Sequence, residues 1–301
     1  MRAARFHSFG APDVLVIEDV DRPQPGPGEA LVRIRAAAIQ PFDSRVRSGR
    51  LMPNLTLPVT TGNEFAGMVE SLGPETAGPA AGTPVAGRRT FGAVAEYVVV
   101  PVGDLAVIPA GVSFAEAATL SGTAQTADTA VESLGIGVGD TLLIQGAAGG
   151  IGSFATQLAI ARGARVIGTG SPANIDYLRA LGATPLTPGP DLPRRIAEVA
   201  PDGLTAILDC VGGETLDQSL TLGVPRDRIA SLGDLGRVAE LGLRSVEGLR
   251  DGVRLARLLD LAAQGKLLAT VRSTYPINDI VAAHRELDTG HGRGKIVIAI
   301  D

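Results

Sequence analysis

Cysteine is nearly absent. Cys210 stands alone among 301 residues, which excludes an internal disulfide and any cysteine-rich structural zinc site. Histidine is also scarce, and His7, His284 and His291 are scattered without ligand spacing, so the pattern names no metal. Lysine occurs only as Lys266 and Lys295, with arginine supplying the other basic residues. Beside the abundant Ala, Gly and Pro, that reads as codon bias of a GC-rich genome rather than as function. No apolar run approaches the roughly 20 residues a membrane span needs. The amino terminus, Met1 to His7, enters alternating structure without a signal-peptide apolar region. A net charge of −5 leaves no electrostatic footprint for nucleic acid or an anionic membrane. With 45% hydrophobic and 20% charged residues, a cytoplasmic enzyme of about two domains is the expectation.

Glycine is plentiful, and its placement carries the most information. The apolar run Thr141-Leu142-Leu143-Ile144-Gln145 ends in Gly146-Ala147-Ala148-Gly149-Gly150-Ile151-Gly152, and a helical pattern follows from Ser153 to Ala161. A strand thus delivers the chain to a Gly-x-x-Gly-x-x-Gly turn, whose glycines let the backbone approach a pyrophosphate. The free N–H groups and positive dipole end of the next helix then hold the anion. Glycine triplets alone are weak, but strand before and helix after is the context that points to dinucleotide binding.

The first third reads as β structure. Ala30–Ala37 and Phe65–Glu70 alternate, and Ala95–Val100 is strand-forming. Turn-rich pieces such as Arg22–Gly28 and Gly73–Pro79 separate them. The expectation is an irregular β-barrel over 1–112. From Ser113 the period changes, beginning with a capping box of Ser113 and Glu116. Strands are expected near 141–145, 164–169, 183–187, 204–209 and 227–232. Helices are expected near 150–162, 172–181, 191–199 and 213–221, and a long amphipathic one over 248–264. That alternation implies a Rossmann-type doubly wound parallel sheet over 113–265. The remaining 266–301, ending in the strand Gly294–Ile300, is expected to return to the first domain.

Several pieces match a known family in order and spacing. They are Ile39-Gln40-Pro41-Phe42-Asp43 with Arg47-Ser48-Gly49, Gly62-Asn63-Glu64-Phe65-Ala66-Gly67, Thr126-Ala127, Gly146 to Gly152, Asp209-Cys210-Val211-Gly212-Gly213, and Arg293-Gly294-Lys295-Ile296-Val297. Over essentially the whole chain the sequence resembles the medium-chain dehydrogenase/reductase superfamily, and within it the zinc-free, zeta-crystallin-like quinone oxidoreductases. The resemblance implies a GroES-like N-terminal domain, a Rossmann domain and a homodimer. Zinc-dependent alcohol dehydrogenases of the superfamily carry an early Cys and a Gly-His-Glu motif. Here the early position falls in Ile39-Gln40-Pro41, and the triplet reads Gly62-Asn63-Glu64. Without those ligands there is no Lewis acid to stabilise an alkoxide, so no metal is expected and simple alcohol oxidation is disfavoured.

In the dinucleotide fold an acid about 20 residues past the glycines holds the ribose 2′-hydroxyl of NAD. The tip Gly170-Ser171-Pro172-Ala173-Asn174 carries no carboxylate, which leaves room for the 2′-phosphate of NADPH. NADPH is therefore favoured over NADH, with Ser171 and Asn174 as donors and Arg179 within reach. The resemblance suggests an arginine where Ala173 stands. Ser171-Pro172 is equally an ordinary helix start.

The resemblance further places Gln40 and Asp43 near the nicotinamide, where relatives have Asn-x-x-Asp. Asp43 is open to two readings: a functional carboxyl, or merely the cap of a helix starting at Ser44. Thr126 matches a position that faces the nicotinamide. Val211, Ser231 and Gly233 are expected at the carboxyl edge of the sheet, where open α/β sheets bind ligands. Lys295, with Arg293, either closes the site or is a charged strand start on the surface. Enoyl reductases of the superfamily carry a proton-donating tyrosine, and none lies here between Gln40 and Tyr97. Cys210 reads as a small buried side chain rather than a nucleophile. The function expected is reduction of a quinone or α,β-unsaturated carbonyl, with a natural-product tailoring step as one form of it. The rivals are a non-catalytic NADPH-binding or redox-sensing protein and an NADH-dependent alcohol dehydrogenase.

Overall fold

In the computed structural model, residues 1–290 and 292–301 are described. His291 lies outside them. The chain forms two compact units, Met1–Gln125 with Arg250–Asp301, and Thr126–Leu249.

Unit 1 begins with β1 (Arg2–Phe6), β2 (Leu15–Asp19) and β3 (Glu29–Ile39), then α1 (Pro41–Arg47). It continues through β4 (Val59–Thr60), β5 (Glu64–Leu72), β6 (Pro84–Arg88), β7 (Tyr97–Pro101), β8 (Ala106–Val107) and α2 (Phe114–Thr119). After α2 the chain makes a π-helical turn at Leu120–Ala124. Unit 2 holds α3 (Gln125–Ser133) from its second residue on, β9 (Thr141–Gln145), α4 (Gly150–Ala161), β10 (Arg165–Thr169), α5 (Ile175–Ala180) and β11 (Thr184–Leu186). It ends with α6 (Leu192–Val199), β12 (Ala206–Asp209), α7 (Glu214–Ser219) and β13 (Ile229–Ser231). The chain then supplies unit 1 with α8 (Gly252–Ala263), β14 (Val271–Pro276), α9 (Ile280–Asp288) and β15 (Lys295–Ala299).

In unit 1, β14, β15, β3, β5, β6 and β8 follow one another in a sheet that β7 also joins through β3, while β2, β1 and β4 form a smaller one. The returning strand runs antiparallel to β3, with Ile296 opposite Ile39 and Ala299 opposite Ala36. Phe6, Val32, Ile34, Phe65, Val98, Ile296 and Ile298 fill the core. Ser113 caps α2, accepting from Glu116 N–H at 3.2 Å while the Glu116 carboxylate accepts from Ser113 N–H at 2.9 Å.

Unit 2 is a parallel sheet in the order β11-β10-β9-β12-β13, the doubly wound arrangement. Its central strand reads Leu142-Leu143-Ile144, fully buried, because a strand covered by helices on both faces wants an uninterrupted apolar run.

Boundaries near 112/113 and 265/266 were expected, whereas the compact units divide after Gln125 and Leu249. Contacts account for the difference. Helix α2 packs on β3 and β5, and α8 packs on β6 and β8. Both helices therefore belong to the barrel that they cover. Helix α8 also starts later than 248, at Gly252, where the Asp251 carboxylate accepts from Arg254 N–H at 2.9 Å. Among the described residues no helix is long and apolar enough to cross a membrane.

Candidate functional site

In unit 2 the expected cofactor residues gather at the carboxyl ends of the parallel strands. Gly146 follows β9, Gly170 to Asn174 follow β10, Val211 follows β12, and Ser231 with Gly233 ends β13. Gly149 is the N-cap of α4, and Gly150, Ile151 and Gly152 form its first turn. Their N–H groups have no carbonyl four residues back within the helix. Gly152 must be glycine: a Cβ there would meet Gly146 O at 2.4 Å and Ala147 Cα at 2.7 Å, both backbone. The N–H groups of Gly146 and Ala147 are engaged elsewhere, donating to Thr169 Oγ1 at 3.0 Å and Thr169 O at 2.9 Å. They hold the turn against β10, which leaves the first turn of α4 as the part able to face an anion. This arrangement fits a dinucleotide pyrophosphate.

Asp209, not singled out from the sequence, organises the neighbouring loop. Its carboxylate accepts from Val211 N–H at 3.1 Å, from Gly212 N–H at 3.0 Å and from Ser231 Oγ at 2.6 Å. Ser231 is therefore engaged inside the fold, and its Oγ also accepts from Asp234 N–H at 3.1 Å. Gly233 lies so close to Val211 and Gly212 that a Cβ would sit 2.3 Å from both backbones. Ser171 and Asn174 bond each other, Asn174 Nδ2 donating to Ser171 Oγ at 3.1 Å. Arg179 pairs with Asp176 at 2.5 Å on the surface. Cys210 is half-buried, and burial with Asp209 beside it pushes its thiol pKa up, so it stays a neutral thiol. Thr126 is half-buried in the first turn of α3.

In unit 1 a different set converges. Helix α1 starts at Pro41, earlier than the expected Ser44, and Gln40 is its N-cap. Proline suits the first helical position, where its missing N–H leaves no bond unmade. Asp43 is the third helical residue. It accepts from Gln40 N–H at 2.8 Å and from Gly62 N–H at 3.2 Å, and it is buried. Burial, opposed by those backbone donors and by Lys295 and reinforced by Glu64, pushes its pKa up to about 7. Asp43 thus closes the helix start and is also a buried titratable group.

Lys295 is not a charged strand start on the surface. Its side chain is buried, with Nζ 2.6 Å from Glu64 Oε2 and donating to Thr123 Oγ1 at 2.8 Å. Thr123 Oγ1 donates to Glu64 Oε1 at 2.6 Å and lies 3.5 Å from Gln40 Oε1. The π-helical turn presents Thr123 there, and Gly122 makes the room, since a Cβ on it would meet Glu64 Oε1 at 2.5 Å. Such turns are frequent at functional sites.

The residues at the metal positions do not fit a zinc site. Asn63 Oδ1 accepts from Phe91 N–H at 2.8 Å, and Glu64 is paired with Lys295. Among the described residues no group of three or more His, Cys, Asp and Glu is placed to hold a metal ion.

The family model described as alcohol dehydrogenase GroES-like domain matches residues 26–110, and that described as zinc-binding dehydrogenase matches 189–298. The chain is 31% identical to a quinone oxidoreductase of Pseudomonas aeruginosa, over 98% of each. It is 30% identical to a 2-methylene-furan-3-one reductase of Solanum lycopersicum, over 99% of this chain and 79% of the relative. A mycobacterial structure in complex with NADPH superposes with a TM-score of 0.88 at 29% identity, covering 99% of this chain and 100% of that one.

Proposed function

Because the chain belongs to the quinone oxidoreductase-like group of the medium-chain dehydrogenase/reductase superfamily, we propose that it is a metal-free, NADPH-dependent reductase of quinones or α,β-unsaturated carbonyls. The observation that carries the cofactor half is the sheet edge of unit 2. There a glycine turn opens onto the first turn of α4, and the tip of β10 offers Ser171 and Asn174 with no carboxylate over 170–174. A 2′-phosphate suits such a tip, whereas NAD recognition calls for an acid. The NADPH named for the mycobacterial neighbour supports this choice.

When bound, the reduced nicotinamide supplies the hydride. The chain's own part is to hold an electron-poor acceptor and stabilise the enolate or hydroquinone anion that forms. Gln40 offers an amide donor for that task, its Oε1 turned toward Thr123. The engagement of Asn63 by the backbone and of Glu64 by Lys295 supports the metal-free reading. The quinone and furanone reductases among the relatives support the acceptor class. A cytoplasmic homodimer acting on a natural-product enone completes the proposal.

The experiment is NADPH consumption with a panel of simple quinones and enones, run beside NADH and with chelator. Chelator-resistant turnover preferring NADPH is expected. Ethanol oxidation that requires added metal overturns the proposal in favour of an alcohol dehydrogenase. Tight NADPH binding with every acceptor left unreduced overturns it in favour of a non-catalytic binder.

A further inference from the structure

Reduction of an enone or quinone needs a proton as well as a hydride, and no tyrosine lies between Gln40 and Tyr97, the stretch where the resemblance places the proton donor of enoyl reductases. Unit 1 buries three ionisable side chains in one place: Asp43 on α1, Glu64 on β5 and Lys295 on β15. Two carboxyls and one amine have room for one more proton than an ion pair accounts for. A surplus buried negative charge is costly unless it is neutralised. Geometry says where that proton resides. Lys295 Nζ lies against Glu64 at 2.6 Å, and Thr123 donates to the other Glu64 oxygen at 2.6 Å. Glu64 is the carboxyl that is compensated. Among the described residues Asp43 receives two backbone N–H groups, from Gln40 and Gly62.

We propose that Asp43 stores the proton consumed in the reduction, with the Glu64–Lys295 pair setting how firmly it is held. This rests on the reductase reading above. The acceptor takes a hydride from the reduced nicotinamide. The Asp43 O–H bond breaks, and its proton forms the new C–H bond at the α-carbon of an enone or the O–H bond of a hydroquinone. The acceptor is reduced by two electrons and the nicotinamide is oxidised by two; solvent returns the proton to Asp43. Glu64 and Lys295 are the charged groups that act on Asp43 from neighbouring elements, and they pull in opposite directions. A carboxyl held near neutrality, pushed up to about 7 by burial, is well matched to donate at physiological pH.

The test is infrared difference spectroscopy over a pH titration of the full chain without cofactor, followed by the pH dependence of turnover. A carbonyl band of a protonated carboxyl is expected, lost with a midpoint near neutrality and absent from Asp43→Asn. Glu64→Gln removes a neighbouring negative charge and frees Lys295, so the midpoint moves to lower pH. Lys295→Gln moves it to higher pH. Those opposed shifts are read on folded protein, as judged by circular dichroism, and stand even where Asp43→Asn fails to fold. Wild-type turnover is expected to fall by about tenfold per pH unit above the midpoint, and Asp43→Asn to lose at least about tenfold at pH 6 with a flat profile. Three results overturn the proposal while the reductase reading stands: turnover without the band, a band that survives Asp43→Asn, or an unchanged rate and profile in that variant. A band in a protein that reduces no acceptor overturns the reductase reading, and proton delivery falls with it.

Discussion

Lys295 Nζ lies 2.6 Å from Glu64 Oε2, with both side chains buried in the barrel. The C-terminal strand β15 makes the pair possible. It runs beside β3, which in turn pairs with β5, so Lys295 and Glu64 open strands that flank the same neighbour. Removing one partner of such a pair leaves an uncompensated charge, which costs about 3–5 kcal/mol. Lys295→Met should therefore lower stability by about that amount in urea unfolding. The double variant Lys295→Met/Glu64→Gln should recover most of the loss. Equal stability of the two variants would show that the charges are not coupled.

Gly152→Ala should act in the other unit. Its methyl group would meet the backbone of Gly146 and Ala147 at 2.4 and 2.7 Å, and neither is the far end of a flexible side chain. The turn must open to admit it, which misplaces the first-turn N–H groups of α4. A loss of NADPH affinity of at least about tenfold is expected, read from nucleotide fluorescence. Unchanged affinity would remove the helix start from the cofactor site.

Much of this architecture was legible because periodicity is local. The run Thr141–Gln145, the glycine turn and the helix after it lie where the pattern places them. The Ser113–Glu116 capping box is formed as read. What the pattern could not carry is pairing between distant residues. Lys295 and Thr123 are 172 residues apart, and nothing near either marks one as the other's partner. Lys295 was legible as a residue closing the site or as a strand start beside Arg293 and Gly294, but not as the ion-pair partner of Glu64. The unit boundaries escaped for the same reason, since α2 and α8 look like Rossmann helices in period and are assigned by what they cover. Asp209 had a local signal, an acid preceding Cys210-Val211-Gly212-Gly213. Its anchoring of three donors emerged only from the geometry.

His284 predicts an acid sensitivity. It is buried on α9, Arg47 Nη1 points at its Nδ1 from 3.4 Å, and among the described residues Nε2 has no hydrogen-bond partner. Burial, with Arg47 beside it, holds its pKa down to about 3 from the usual 6.5. The unfolded chain takes up this proton first. The stability His284 contributes is therefore complete above pH 6.5 and is lost as pH falls toward 3, by up to about 1.4 kcal/mol per unit. Asp43 has the opposite sign: its raised pKa favours the fold at low pH, and that contribution is lost as pH rises from about 4 through about 7. The two partly offset, so the comparison is between wild type and His284→Gln. Urea midpoints from pH 7 to pH 4 should fall more steeply in the wild type. Parallel curves would remove His284 from the acid response.

Ser171→Asp should invert the cofactor preference. Ser171 is exposed at the tip of β10, and a carboxylate there would repel a 2′-phosphate while accepting from a ribose 2′-hydroxyl. The ratio of kcat/KM for NADPH over NADH should drop by at least about tenfold. An unmoved ratio would place the discriminating contact elsewhere.

The most direct test of the central claim follows the hydride itself. NADPH carrying deuterium at C4 on the transferred face is incubated with the protein, chelator and a simple enone, and the product is analysed by mass spectrometry and NMR. A saturated ketone with one deuterium on the β-carbon is expected. A saturated product lacking the label at that carbon, or an enone recovered unchanged alongside unreduced quinones, would contradict it.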